Sequence, residues 1–287
     1  MNSTIVKPVM ACNLCHDTQF RRLFFRAPYW RIRCERCGLI TISEMPSQDA
    51  LVTMYDAPYF SGDTYLEYAA DRPVIERNAH ARLRQIEKQV KVGRLLDVGC
   101  ATGFFLSAAR ERGWDTVGVD LSHYASQYAR DRFGLEVITG TLFDTAEPAG
   151  SFDVVTLWDT IEHVPDPAAV IARAAWLLKP GGLLALSTGD VESALSRILR
   201  SRWRLMTYDH LYYFSPPTLR RYFDSVGLSI IRFSKPGRWV NLRLVVHMAL
   251  AGHASSPLRH LLLRLARSLP ALYLNLWDVV TVHARKG

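Results

Sequence analysis

The stretch from Arg94 to Phe105 constrains this chain more than any other. A short apolar run, Leu95-Leu96-Asp97-Val98, ends in Gly99, Cys100, Ala101, Thr102 and Gly103, and Phe104-Phe105-Leu106 then opens an apolar pattern with helical spacing. The pattern predicts a strand, a tight turn and a helix. Gly99 and Gly103 permit backbone conformations closed to other residues, and with Ala101 they let a ligand lie against the main chain at a helix N-terminus. A nucleotide-like ligand is the natural guest.

Small residues after a strand also form plain packing turns, so the next strand decides between the two. Thr116 to Leu121 reads as that second strand, and its terminal acid, Asp120, lies about 20 residues past the turn, where a carboxylate accepts both ribose hydroxyls of a nucleoside. Without the turn, Asp120 would read as a solvated strand-end acid. The turn lacks the three-glycine pattern that a dinucleotide pyrophosphate needs. Strands near 94–99, 116–121, 136–140, 152–159 and 182–188 alternate with helices near 103–113, 122–133, 167–178, 192–203 and 216–226. That alternation predicts an α/β, doubly wound parallel sheet with ligands at the carboxyl ends of the strands.

These segments resemble class I S-adenosylmethionine-dependent methyltransferases over about residues 90–235. Asp97, Gly99 and Gly103 match the family's acidic-Gly-x-Gly-x-Gly turn, with Ala101 in place of the middle glycine. Phe152 to Asp159, Glu162 to Pro167 and Leu177 to Gly182 resemble the fourth strand, the loop after it and the turn before the fifth strand. Leu228 to Phe233 and Asp278 to Arg285 resemble the last two strands of a seven-stranded, mostly parallel Rossmann-like methyltransferase fold. The resemblance implies S-adenosylmethionine held by Asp97, Gly99, Cys100, Ala101, Gly103 and Phe104, with Asp120 and Leu121 at the ribose. It places Thr141 and Leu142 at the adenine, and Trp158 and Asp159 towards the methionine part or the acceptor.

Four of the five cysteines, Cys12, Cys15, Cys34 and Cys37, form two Cys-x2-Cys pairs, a spacing that favours a closed structural Zn2+ site over disulfides. The intervening residues predict a small hairpin with a basic surface. The expected domains are a zinc ribbon at 1–45, an aromatic lid segment and linking helix at 46–92, and a methyltransferase domain at 93–287. A ribbon followed by Tyr55-x3-Tyr59-Phe60 resembles bacterial sugar- and polysaccharide-associated methyltransferases, which makes Tyr55 and Tyr59 lid candidates.

Methyl transfer from a sulfonium needs alignment and removal of the acceptor's proton. His210 and His163 are the general-base candidates, since imidazole titrates near neutral pH and both fall on loops at strand C-termini; each also has a purely structural reading. Tyr208 and Tyr212 flank His210 as acceptor contacts. Tyr208 to Phe214 resembles an element of zinc-containing C-methyltransferases of nucleotide deoxysugars, with Asp209 in place of Glu. Glu162-His163 resembles the loop of quinone O-methyltransferases, some of which use a divalent ion there.

A formal net charge of +8 and a pI near 9.4 point to an anionic partner: a nucleotide-sugar, an RNA or an acidic membrane surface. Between Ser225 and Trp277 there are seven Lys or Arg and no acid, in a basic helical insertion expected at about 236–275. There Leu258, Leu261, Leu262, Leu265 and Leu269 share one helix face, which suits core packing, a dimer or peripheral membrane contact through 239–270. Met1 to Met10 carries no apolar signal core, and the expected location is cytoplasmic, with a peripheral place at the inner membrane face as an option. The expected activity is O-methylation of a sugar, glycolipid precursor or secondary metabolite, the acceptor being a small or lipid-linked anion. C-methylation of a nucleotide deoxysugar, RNA methylation and non-catalytic binding are the alternatives.

Overall fold

The computed structural model describes residues 6–55, 71–242 and 270–287. Tyr59 and the expected amphipathic helix around 258–269 lie outside them. The chain opens with β1 (Val6–Pro8), β2 (Phe20–Arg26), β3 (Tyr29–Cys34), β4 (Ile40–Ile42) and β5 (Glu44–Pro46), then α1 (Gln48–Met54) and α2 (Arg72–Glu87).

The central sheet is built from β6 (Arg94–Val98), β7 (Asp115–Asp120), β8 (Glu136–Thr139), β9 (Phe152–Trp158) and β10 (Leu178–Gly189), which are parallel, and from β12 (Leu228–Ser234) and β15 (Val279–Lys286). Its order is β12-β15-β10-β9-β6-β7-β8, and β15 runs antiparallel to both neighbours. The expected seven-stranded, doubly wound sheet is therefore present. Leu95, Leu96, Val154, Val155, Leu184 and Leu186 are all buried, because helices cover both faces of a parallel sheet.

On one face Leu83 and Ile86 of α2 and Leu106 of α3 (Phe104–Glu111) pack with Leu95, Trp114 and Trp158. On the other, Ile171 and Leu177 of α5 (Pro167–Leu177) and Tyr222 and Phe223 of α7 (Pro216–Asp224) pack with Val155, Leu184 and Phe214. The helix starts are read from local chemistry. Ser122 caps α4 (His123–Phe133) by accepting from Ala125, and Asp166 caps α5 by accepting from Ala169, with Pro167 in its first turn.

One expectation needs correction. The helix expected over 192–203 is only α6 (Ala194–Leu199), because Arg200 takes a φ of +50° and turns Trp203 inward, where its Nε1 donates to Asp278 at 2.9 Å. At the base of the insertion expected at about 236–275, β13 (Arg238–Val240) pairs with β14 (Leu272–Leu274), and the expected helix lies outside the described residues. Asn78 of α2 fixes that base through its side-chain amide, 2.9 Å from both the N and O of Trp239. Among the described residues no helix is long and apolar enough to cross a membrane.

The N-terminal hairpin strands do not stand apart. Their sheet has the order β11-β4-β3-β2, where β11 (Tyr212–Tyr213) comes from the other end of the chain and pairs Tyr212 with Thr41 and Tyr213 with Ile40. Cys12, Cys34, Leu39 and Ile42 share one apolar core with the central sheet. Asn13, between the first two cysteines, bonds Asp166, Ala168 and Tyr222. The surface expected of the hairpin is only partly basic, because Arg31 is fully buried.

Candidate functional site

The turn after β6 has the backbone that its small residues predict. Gly99, Ala101 and Gly103 have φ of +72°, +49° and +81°. A Cβ on Gly99 would sit 2.5 Å from Thr160 Oγ1, so both the dihedral and the space require glycine there. Ala101 takes the left-handed region at a cost of about 1–2 kcal/mol. Asp120, ending β7, meets this turn: its carboxylate accepts from Ala101 N at 2.7 Å and Ser122 N at 2.9 Å. Burial raises its carboxyl above the usual range against those two bonds. Asp97 lies beneath the turn, accepts from Thr156 Oγ1 at 2.6 Å, and is pushed up to about 7 by burial.

Several residues assigned to the cofactor contribute packing through their side chains. Cys100 is buried against Gly118 and Leu106, and burial holds its thiol well above the normal range. Phe104 packs edge-on with Tyr128 and Phe133 under Arg72. Leu142 is buried in the core, and Leu121 packs partly against it. Thr141 caps a short turn by bonding Asp144, and the next aromatic, Phe143, is 53% exposed beside it. The resemblance places S-adenosylmethionine at this turn, and two atoms here fit such a guest: Thr102 Oγ1 and Trp158 Nε1 are buried with no hydrogen-bond partner. Buried polar atoms are rarely left so without a ligand or water to meet them.

The carboxyl ends of β9 and β10 gather a second group. Asp159, with a φ of +52°, accepts from Ser187 Oγ at 2.9 Å and Arg82 Nη2 at 3.2 Å, while the Arg82 guanidinium lies 4.4 Å from the Trp158 ring centre. Burial works to raise the Asp159 carboxyl, but Arg82 and Arg238 outweigh it and hold it below its usual range. Beyond it, His163 Nδ1 lies 2.8 Å from Tyr55 Oη and 3.1 Å from the Asp209 carbonyl oxygen. The His163 and His210 rings stand perpendicular, 4.7 Å between centres.

His210 is 8% exposed, and burial together with His163 pushes it down to about 3. Glu162 is buried, pushed up to about 8 by burial and by Asp159, and its Oε2 has no partner. Ligand atoms of Glu162, His163 and His210 all lie within 4.8 Å of one another, a spacing that suits a divalent ion.

The structure thus brings Tyr55, Asp159, His163 and His210 to one end of the sheet. Tyr208 is exposed nearby in sequence, but Tyr212 is buried in the core with its hydroxyl donating to the Pro165 carbonyl at 3.1 Å, so it offers nothing to an acceptor. Sequence reasoning does not single out Arg82 or Ser187 as site residues. Arg82 carries no signal beyond its place on an amphipathic linking helix, whereas Glu162 is flagged by its adjacency to His163.

At the N-terminus the four expected thiols converge. Cys12 and Cys37 Sγ are 3.4 Å apart and Cys15 and Cys34 Sγ 3.5 Å apart, with all four within 4.8 Å. A tetrahedron with Zn–S bonds of about 2.3 Å has edges of roughly 3.8 Å, so the set fits Zn2+ after a slight expansion. In the free thiols burial pushes Cys12 up to about 11.

Comparison with known proteins agrees with this geometry. A family model described as a methyltransferase domain matches residues 68–232. The chain is 33% identical over 173 residues to a ubiquinone biosynthesis O-methyltransferase of Thiobacillus denitrificans, covering 55% of this chain and 74% of that protein. It is 31% identical to the Aromatoleum aromaticum protein of the same name, covering 58% and 76%. A solved S-adenosylmethionine-dependent methyltransferase from Archaeoglobus fulgidus, 17% identical, superposes with a TM-score of 0.54 over 77% of this chain and all of that one, which supports the fold. Turn, sheet order and family match converge: the chain belongs to the methyltransferase domain family and is an S-adenosylmethionine-dependent methyltransferase.

Proposed function

We propose that the protein O-methylates a ring hydroxyl of a quinone precursor, with His163 as general base. The observation that carries this reading is the chain of contacts at the end of β9: Tyr55 Oη donates to the Asp209 carbonyl at 3.1 Å and meets His163 Nδ1 at 2.8 Å. The consistent assignment puts the ring proton on Nδ1 and leaves Nε2 as an acceptor. Bound S-adenosylmethionine supplies an electrophilic methyl on a sulfonium. Gly99, Ala101 and Gly103 give the backbone room for it, and Asp120 offers its remaining lone pairs to the ribose. His163 Nε2 would take the acceptor's hydroxyl proton as the methyl passes to that oxygen, with the C–S bond pair returning to sulfur to leave a neutral thioether, and would then return the proton to solvent. Arg82, Asp159 and Ser187 form a bonded group at the carboxyl ends of β9 and β10. His210, buried and held neutral, spaces the His163 ring.

The relatives' names support a quinone precursor as the acceptor class. Cys12, Cys15, Cys34 and Cys37 would hold a structural Zn2+ with no open position for chemistry. The test is transfer of labelled methyl from S-adenosylmethionine to catechol, set against a mixture of nucleotide sugars. Label in a phenolic methyl ether is the expected result; label only in the sugars overturns the reading.

One observation favours a second reading, the shared spacing of Glu162, His163 and His210 with an unpartnered Glu162 oxygen. A divalent ion there would acidify the acceptor hydroxyl. Loss of transfer on dialysis against EDTA, restored by Mg2+ without added Zn2+, would favour it; unchanged transfer would leave His163 acting alone.

A further inference from the structure

Arg31 sits on β3 of the N-terminal hairpin with 0% exposure, and among the described residues no acid pairs with it. Taking a cation out of water without a counter-charge is costly, and neutral packing would avoid that cost. Its guanidinium is nevertheless well bonded. Nε donates to Tyr213 Oη at 2.9 Å, Nη2 to the Thr207 carbonyl at 2.8 Å, and Nη1 to the carbonyls of Arg26 and Tyr29 at 3.0 Å each. Thr207 and Tyr213 are the two flanks of one loop, and Tyr213 Oη also donates to the Thr207 carbonyl at 3.1 Å. Arg31 therefore closes that loop at its base and ties the closure to the hairpin's own turn.

The loop carries Asp209 and His210. Its other ties run the same way: Thr41 Oγ1 of β4 donates to the Leu211 carbonyl at 2.9 Å, and Leu211 N donates to the Glu162 carbonyl at 2.8 Å. The carbonyl that His163 Nδ1 meets thus belongs to a segment suspended between the hairpin and the 162–163 turn. We propose that Arg31 is a positioning residue for methyl transfer: by holding both flanks of the 207–213 loop it presents Asp209 and His210 to His163. This rests on the reading of His163 as the base. A planar fork reaching two chain segments at once does what an ammonium or an apolar side chain does not.

The test uses the full chain with 15N-labelled histidine. In Arg31→Met the imidazole signals of His163 and His210 should move, while those of His16 in the cysteine module and His123 on α4 stay in place. S-adenosylmethionine affinity should remain within about twofold, and kcat for catechol should fall by about a hundredfold, the scale of a 1 Å misplacement. Arg31→Lys should restore part of kcat. If Arg31→Met does not fold, Tyr213→Phe removes the hydroxyl that links Arg31 to Thr207 and should shift the same two signals. Unmoved His163 and His210 signals in a folded variant would overturn the proposal. If instead His163→Ala keeps its turnover while Arg31→Met still shifts the imidazoles, the base assignment fails and the positioning geometry stands.

Discussion

The two ends of the active region are built in opposite ways. The cofactor turn is local: Gly99, Ala101, Gly103 and Asp120 come from one strand, turn and helix and the next strand, and their mutual contact follows from neighbouring β6 and β7. The proposed acceptor end is assembled from distant segments, with Tyr55 from the start of the chain, Arg82 from α2, Asp159 to His163 after β9, and Asp209 and His210 from a loop held by the hairpin. A local site tolerates damage elsewhere. An assembled one depends on every element that contributes to it.

The largest expected effect tests that dependence. Cys34→Ser should lower bound zinc below one equivalent by metal analysis and cost several degrees of Tm, because Cys34 is buried in the core shared with the central sheet. Through β11 it should also depress turnover, while S-adenosylmethionine still binds. Next, His163→Ala should reduce kcat by about 10²- to 10⁴-fold, the range for a general base, in stopped assays at saturating cofactor. Asp120→Ala should weaken the cofactor by about 1–3 kcal/mol, roughly 5- to 150-fold in Kd, as its hydrogen bonds are lost. Gly99→Ala should cost about 1–3 kcal/mol of stability through its left-handed backbone, and urea titration would read it. The smallest effect belongs to Tyr212→Phe. It removes one bond to the Pro165 carbonyl, about 1 kcal/mol of stability, and leaves KM for the acceptor unchanged, since the ring is buried in the core.

The same contrast explains what could be read from the amino-acid sequence. Strands expected at 94–99 and 152–159 appear at Arg94–Val98 and Phe152–Trp158, because a continuous apolar run bounded by turn residues encodes a buried strand locally. The glycine turn and the four thiols are encoded by spacing. Side-chain direction is not: Cys100 of the turn and Phe104 at the helix start both face the core, Phe104 because a helix packing on its sheet points its first residues inward. Arg31 reads as one more basic residue of a surface hairpin, since nothing nearby announces that Thr207 and Tyr213 will cover it. Arg200 hides a helix break that exists because Trp203 reaches Asp278, 75 residues on.

The most direct measurement titrates S-adenosylmethionine into Asp120→Ala and His163→Ala side by side by calorimetry. Separable ends predict a Kd raised roughly fivefold or more in Asp120→Ala and a wild-type Kd in His163→Ala. Equal weakening in both, or weakening in His163→Ala alone, would contradict the division into a cofactor turn and an acceptor end.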